Sequence, residues 1–140
     1  GGDAKRRFAH GLLQARQRLG GQDLDPVGFL WDFRDRIYHV DCKDAKRQVG
    51  NGRNGRLASH LPWADPRRGW DFVSTGHGDV PWEACFRMLN TIGYEGPISV
   101  EWEDAGMDRL VGAPGALEFV RRMAFEPPSA AFDAAFSTTD

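Results

Sequence analysis

Two runs of this 140-residue sequence place polar side chains where a buried strand is expected to be apolar. In Ile37 to Cys42, the residues Tyr38, Val40 and Cys42 alternate with Ile37, His39 and Asp41. In Ile98 to Trp102, Ile98, Val100 and Trp102 alternate with Ser99, Glu101 and, one step further, Glu103. The apolar sets suit contact with covering helices, which turns the polar sets together toward the other side of a shared sheet. Neighbouring strands lie about 4.8 Å apart, so His39 and Glu101 at similar depth can both reach one divalent ion at roughly 2.0–2.2 Å. A hydrogen-bonded core histidine and a strand-end surface acid satisfy the same alternation, and pattern alone does not separate the two.

Candidates for holding a substrate stand around this pair. Lys43, Lys46, Arg47, Arg53 and Arg56 form a basic stretch broken by Gly50, Gly52 and Gly55, directly after the first strand. Such a stretch can hold a phosphate or a polyhydroxy compound, or it can be a solvated loop with ordinary surface charge. Lys43, which immediately follows the strand, and Arg47 are its candidate substrate-binding residues. His77, between Gly76 and Gly78, has backbone room to approach a ligand and serves equally well as a turn residue. Glu103 shares the face of Glu101 nearer solvent and suits a supporting hydrogen bond.

The elements that must position these groups follow from local signals. Lys5 to Leu19 carries apolar residues at helical spacing and reads as a short amphipathic helix or as irregular chain. Asp25 can cap a helix whose first residue is Pro26, with Val27, Leu30 and Trp31 on one face and Asp35 and Arg36 at its close. Lys43 to Pro81 reads as a long functional loop tucked down by Trp63, Trp70, Phe72 and Val73. A second helix is predicted from Asp79 or Val80, with the stripe Trp82, Cys85, Phe86, Leu89 and Ile92 and a stop at Gly93. After the strand Ile98 to Trp102, a third helix is predicted over Pro114 to Met123, with Leu117, Val120 and Arg121 repeating. Pro127 and Pro128 break the chain before a tail rich in alanine and phenylalanine. Strands alternating with helices indicate a parallel sheet. A barrel of that class needs eight strands and about 250 residues, so two strands cannot close one.

Composition narrows the class further. Lys and Arg number 18 against 20 Asp and Glu, a formal net charge of -2. That balance gives no general field toward nucleic acid or anionic membrane. No apolar run reaches membrane-spanning length and none reads as a signal peptide, which leads to the expectation of a cytoplasmic protein. Cys42 and Cys85 have no metal-type or redox-type spacing and are expected as reduced, buried thiols. The chain opens on Gly1, and with the low strand count this points to a piece of a longer sequence.

Three motifs carry a family resemblance. The run Asp35-Arg36-Ile37-Tyr38-His39-Val40-Asp41-Cys42-Lys43-Asp44 resembles the penultimate-strand motif of the xylose-isomerase-like sugar phosphate isomerases and epimerases. Gly76-His77-Gly78-Asp79-Val80-Pro81-Trp82 is similar to that family's glycine-rich segment before the next helix. Gly93-Tyr94-Glu95-Gly96-Pro97-Ile98-Ser99-Val100-Glu101-Trp102-Glu103-Asp104 resembles its last strand. The motifs stand in family order and cover Leu24 to about Phe125.

The resemblance implies an α/β fold that is the C-terminal portion of a (β/α)8 TIM barrel, incomplete in this chain. Residues 24–125 would form the barrel units, 1–23 an N-terminal segment and 126–140 a tail. It also implies proton transfer next to a carbonyl, through an enediolate, on a sugar or sugar phosphate. The cofactor would be a divalent Mn, Mg, Zn or Co ion. Association with a second copy of the chain stays open in the sequence. Two glutamates, an aspartate and a histidine hold the ion in that family. His39 matches the histidine, and Glu101 matches the last glutamate, which is also one of the proton-exchanging carboxylates. The first glutamate and the aspartate have no matching motif here, and many relatives carry a second histidine where Asp41 stands. The isolated chain is therefore expected to be inactive. The same superfamily includes endonucleases that cut DNA at abasic sites with a zinc cluster. Those need several His and Asp ligands after the histidine strand, where Trp70 to Thr75 offers only Asp71. That nuclease and a non-catalytic partial barrel are the alternatives.

Overall fold

The computed structural model describes residues 25–47 and 60–129. Asp25 starts helix α1, Pro26–Asp32, as its chemistry dictates. Its carboxylate accepts from the amides of Val27 and Gly28 at 2.9 and 3.1 Å, while Pro26 at the first position forgoes no useful donor. Leu30 is buried, but Trp31, expected on the same face, is 46% exposed. Each residue turns the helix by about 100°, which carries Trp31 off the core and under the guanidinium of Arg34. A 3-10 turn, Arg34–Arg36, follows.

Strand β1 is shorter than the alternation predicts, running Val40–Cys42 rather than from Ile37. Its partner β4, Ile98–Val100, stops short of Trp102. Only this stretch is matched on both sides. The two pair in parallel, with Val40 opposite Ile98, Asp41 opposite Ser99 and Cys42 opposite Val100. The amide of Glu101 continues the ladder onto the Cys42 carbonyl at 3.1 Å.

The stretch between them is not the single loop expected. It contains β2, Asp44–Arg47, and β3, Trp70–Val73, paired antiparallel with Asp44 opposite Val73 and Arg47 opposite Trp70. Trp70, Phe72 and Val73 favour a strand by type, whereas Asp-Ala-Lys-Arg does not, so β2 exists through its partner. Arg53 and Arg56, the helix expected over 5–19 and the end of the tail lie outside the described residues.

Helix α2, Trp82–Thr91, begins later than Asp79 or Val80, with Pro81 at its N-cap. The reason is that Asp79 and Val80 are bound elsewhere: the Asp79 carboxylate takes the Arg47 amide, and the Val80 amide goes to Asp44. The predicted stripe holds, with Trp82, Cys85, Phe86 and Leu89 buried. Helix α3 spans Arg109–Met123, starting ahead of Pro114 and passing through it. Asp108 caps it by accepting from the Leu110 amide at 2.8 Å, and one hydrogen bond is forgone at the proline. Its buried side is Gly112, Ala116 and Val120, while Leu117 is 43% exposed.

Leu30, Ile37, Val40, Cys42, Trp82, Cys85, Phe86, Leu89 and Val120 form one core between the parallel pair and the helices. Cys42 and Cys85 both lie in it, buried and unbridged, as their positions on the apolar faces predict. Burial, with the negative charge of Asp41 beside it, pushes the Cys42 thiol up to about 12. Among the described residues the parallel pair gains no third strand, so no barrel closes. No helix among them is long and apolar enough to cross a membrane.

Candidate active site

The two polar alternations come together on one face as two levels. At the lower level His39 Nε2 lies 2.7 Å from Ser99 Oγ, and the Ser99 hydroxyl donates to Asp41 Oδ1 at 2.6 Å. A hydroxyl has one proton to give. Since Ser99 gives it to Asp41, the contact with His39 requires an Nε2–H, and the neutral ring then carries its lone pair on Nδ1.

The upper level lies two residues along each strand, about 6.6 Å away. Lys43 Nζ is 2.6 Å from Glu101 Oε1 and 2.7 Å from Glu103 Oε2. The lysine side chain is 7% exposed, whereas Glu101 and Glu103 are 36% and 44% exposed, so the carboxylates and not the cation face outward. Burial alone would lower the Lys43 pKa, but the hydrogen bonds from Glu101 and Glu103 outweigh it and hold the ammonium above its ordinary value. The ammonium also sits 4.1 Å from the centre of the Phe72 ring.

Phe72 belongs to an aromatic wall that sequence reading placed only loosely. Trp63, Trp70 and Phe72 stand with ring centres 4.9 to 5.5 Å apart. Arg68, 2% exposed, lies 4.0 Å from the Trp63 ring, pairs with Asp71 at 2.9 Å and donates to the Leu61 carbonyl at 2.6 Å. Nothing in the sequence distinguishes Arg68 from its exposed neighbour Arg67.

Asp44, next to Lys43, was also missed. It is fully buried, and its carboxylate accepts from the amides of Ala45, Gly76, Gly78 and Val80 and from the Trp82 indole, at 2.8 to 3.3 Å. A side chain at Gly78 would collide with this carboxylate, and Gly76 sits at a φ of 98°, so both glycines are required by the turn. That pair of glycines was the available signal. The turn presents His77 on the surface, its amide bonded to the Ser74 carbonyl at 2.9 Å. Asp104, after β4, binds the amides of Ser74 and Gly106, and the Trp102 indole donates to the Ser74 hydroxyl at 2.7 Å.

Of the residues singled out in the sequence, His39, Asp41, Lys43, Glu101 and Glu103 are thus brought onto one face, but the register sets Lys43 and not His39 opposite Glu101, so the similar depth expected of His39 and Glu101 is not met. Arg47 ends β2 with an exposed side chain, apart from the Lys43 pair, and His77 stands on its own turn. Donors of the right type for a divalent metal are present, an imidazole and carboxylates. Among the described residues no three His, Cys, Asp or Glu side chains converge as a complete metal centre.

A parallel strand pair, helices on its apolar side and ionisable groups at its C-terminal ends are the arrangement of a segment of an α/β barrel. The family model for xylose isomerase-like TIM barrels matches residues 10–123, and the chain belongs to that family. The uncharacterized protein YfiH of Bacillus subtilis (strain 168) is 28% identical over 127 residues, covering 79% of this chain and 41% of that protein. A xylose isomerase domain protein from Planctomyces limnophilus, known from its crystal structure, is 25% identical with a TM-score of 0.47, over 71% of this chain and 30% of that one. The chain therefore spans less than half the length of these relatives. It is a mixed α/β piece of such a barrel.

Proposed function

We propose that the chain supplies one side of the active site of a metal-dependent sugar isomerase or epimerase. The observation that carries this reading is the shared face on which His39 and Asp41 meet Ser99 while Lys43 meets Glu101 and Glu103. His39 and Glu101 would hold a divalent ion together with donors from the remainder of a longer protein. The hydrogen bond from His39 Nε2 into Ser99 and Asp41 supports this, because a metal-bound histidine typically gives its other ring N–H to an oxygen that fixes its orientation. When bound, the metal would polarise the substrate oxygens.

Glu101 then removes the proton from the carbon beside the carbonyl, and Lys43 orients it. An ammonium has three donors. Two serve Glu101 and Glu103 and hold both carboxylates in place on the open side of the face. His77 and Arg47 would contact the substrate from the loop side. The abasic-site nuclease gains nothing, since Asp71 is buried against Arg68. The test is metal-dependent epimerisation or isomerisation of sugars and sugar phosphates by a full-length parent, read by proton exchange into solvent. The parent should be active and the 140 residues alone inactive. Robust turnover by these residues alone, or a parent indifferent to chelation, would overturn the reading.

A further inference from the structure

The outer surface carries a groove that takes no part in the polar face. It lies between the start of α2 and the second half of α3, has a volume of about 580 Å³, and is floored among the described residues by Val80, Pro81, Ala84, Phe119 and Met123. Glu83 and Arg87, paired with each other at 2.7 Å, form its polar rim. Val80, Phe119 and Met123 pack against the core from one side and remain only partly buried, so the groove brings the core to the surface. A volume of this order takes a few apolar side chains and is far too small for a folded partner.

The path of the chain leads to this groove. After α3 ends at Met123, the backbone folds back on α2. The Asn90 amide donates to the Phe125 carbonyl at 2.9 Å, and the Arg87 guanidinium sits 5.3 Å from the centre of the Phe125 ring. Met123 and Arg87 both line the groove, so the polypeptide passes its edge just before Pro127 and Pro128. These prolines keep the chain from winding on as another turn of α3. Residues 130–140 follow, with Phe132 and Phe136 as their large apolar side chains. Their charged side chains are Asp133 and Asp140, opposite in sign to Arg121 and Arg122 in the last turn of α3. Extended chain covers about 3.3 Å per residue and a helix rises about 1.5 Å per residue, so this segment is long enough to follow the whole of α2.

We propose that the groove is the docking site of the chain's own residues 130–140, with Phe132 and Phe136 set against Phe119 and Met123. A tethered segment acts at an effective concentration of the order of millimolar, which a second copy or a foreign peptide does not reach at ordinary protein concentrations. Docking straps α3 to α2 and takes the apolar surface between them out of water.

The test uses the full 140-residue chain and its Ala84→Arg variant. Ala84 is exposed in the groove, so the larger side chain fills it without entering the core. Chymotrypsin, which cuts after phenylalanine, probes the segment. With millimolar effective concentration and an intrinsic Kd of about 0.1 mM, cleavage after Phe132 and Phe136 should be about tenfold slower in the wild type than in Ala84→Arg. In the double variant Phe132→Ala/Phe136→Ala, the Met123 methyl resonance should move as ring currents are lost, while the methyls of Leu30 in the core stay in place. Equal cleavage rates, or a Met123 methyl indifferent to the double substitution, overturn the proposal.

A cross-link separates the possible occupants. Ala84→Cys combined with Ala135→Cys, oxidised at micromolar concentration, should close within one chain, with Cys42 and Cys85 protected by burial. A bond formed mainly between two chains shows that a second copy fills the groove and overturns the proposal, as does the absence of any bond.

Discussion

Lys43 and Asp44 are neighbours in the chain, yet they serve opposite regions of the molecule. Lys43 turns into the polar face and is buried beneath two carboxylates that remain over a third exposed. Asp44 turns the other way and is itself buried, beneath a shell of amides and an indole. Around Lys43 the two carboxylates share the ammonium and stay over a third exposed, so a ligand can reach them. Around Asp44 the donors saturate the carboxylate, and nothing is left for chemistry. Ionisable side chains after a barrel strand are thus separated into solvent-facing and structural by what fills their lone pairs.

The sharpest test of this contrast is a pair of isosteric substitutions. Glu101→Gln in a full-length parent should cost about 10²- to 10⁴-fold in turnover while leaving the urea midpoint nearly unchanged, because Glu103 still pairs with Lys43. Asp44→Asn should do the reverse in the chain studied by urea unfolding, losing about 3 kcal/mol because amide donors then face an uncharged and partly mismatched group. Equal effects on activity and stability at the two sites would erase the distinction. Gly78→Ala is expected to cost somewhat less, about 2 kcal/mol, since its new methyl displaces the Asp44 carboxylate.

Lys43 supplies a pH test. Its folded pKa is raised, so its stabilising contribution is complete below about pH 10.4, the ordinary lysine value, and disappears as pH rises through the higher folded value. Wild-type stability should therefore fall more steeply than that of Lys43→Met in the alkaline range above that value. The smallest effect concerns Cys42. With its thiol pushed up to about 12 and no exposed surface, it should resist maleimide labelling in the folded chain at pH values where a free cysteine reacts.

What the sequence revealed was what periodicity encodes. Alternation from His39 to Cys42 and from Ser99 to Glu103 predicted the shared polar face, and the apolar side of β1 with the α2 stripe predicted the buried thiols. Ahead of His39 the alternation fails, with Ile37 in the core and Tyr38 exposed, because the strand does not begin until Val40. The Asp25 and Gly93 caps were readable because they obey local rules. Three things escaped. Strand β2 has no propensity of its own and is held by β3. Arg68 and Asp44 look like ordinary surface charges in sequence, because their partners lie on carbonyls and amides that no residue type announces. Helix α3 began early because Asp108 capped it, a signal obscured by Pro114. Backbone hydrogen bonds to side chains are invisible to composition, and here they determine which charges are structural.

The turn from Gly76 to Trp82 has one more consequence, in time rather than in energy. Its amides share a single acceptor, so none can be exposed to solvent exchange without loosening the carboxylate that binds the rest. In deuterated water, Gly76, Gly78, Val80 and the Trp82 indole should therefore exchange at a common rate, as one cooperative opening unit, although Gly76 to Pro81 carries no regular secondary structure.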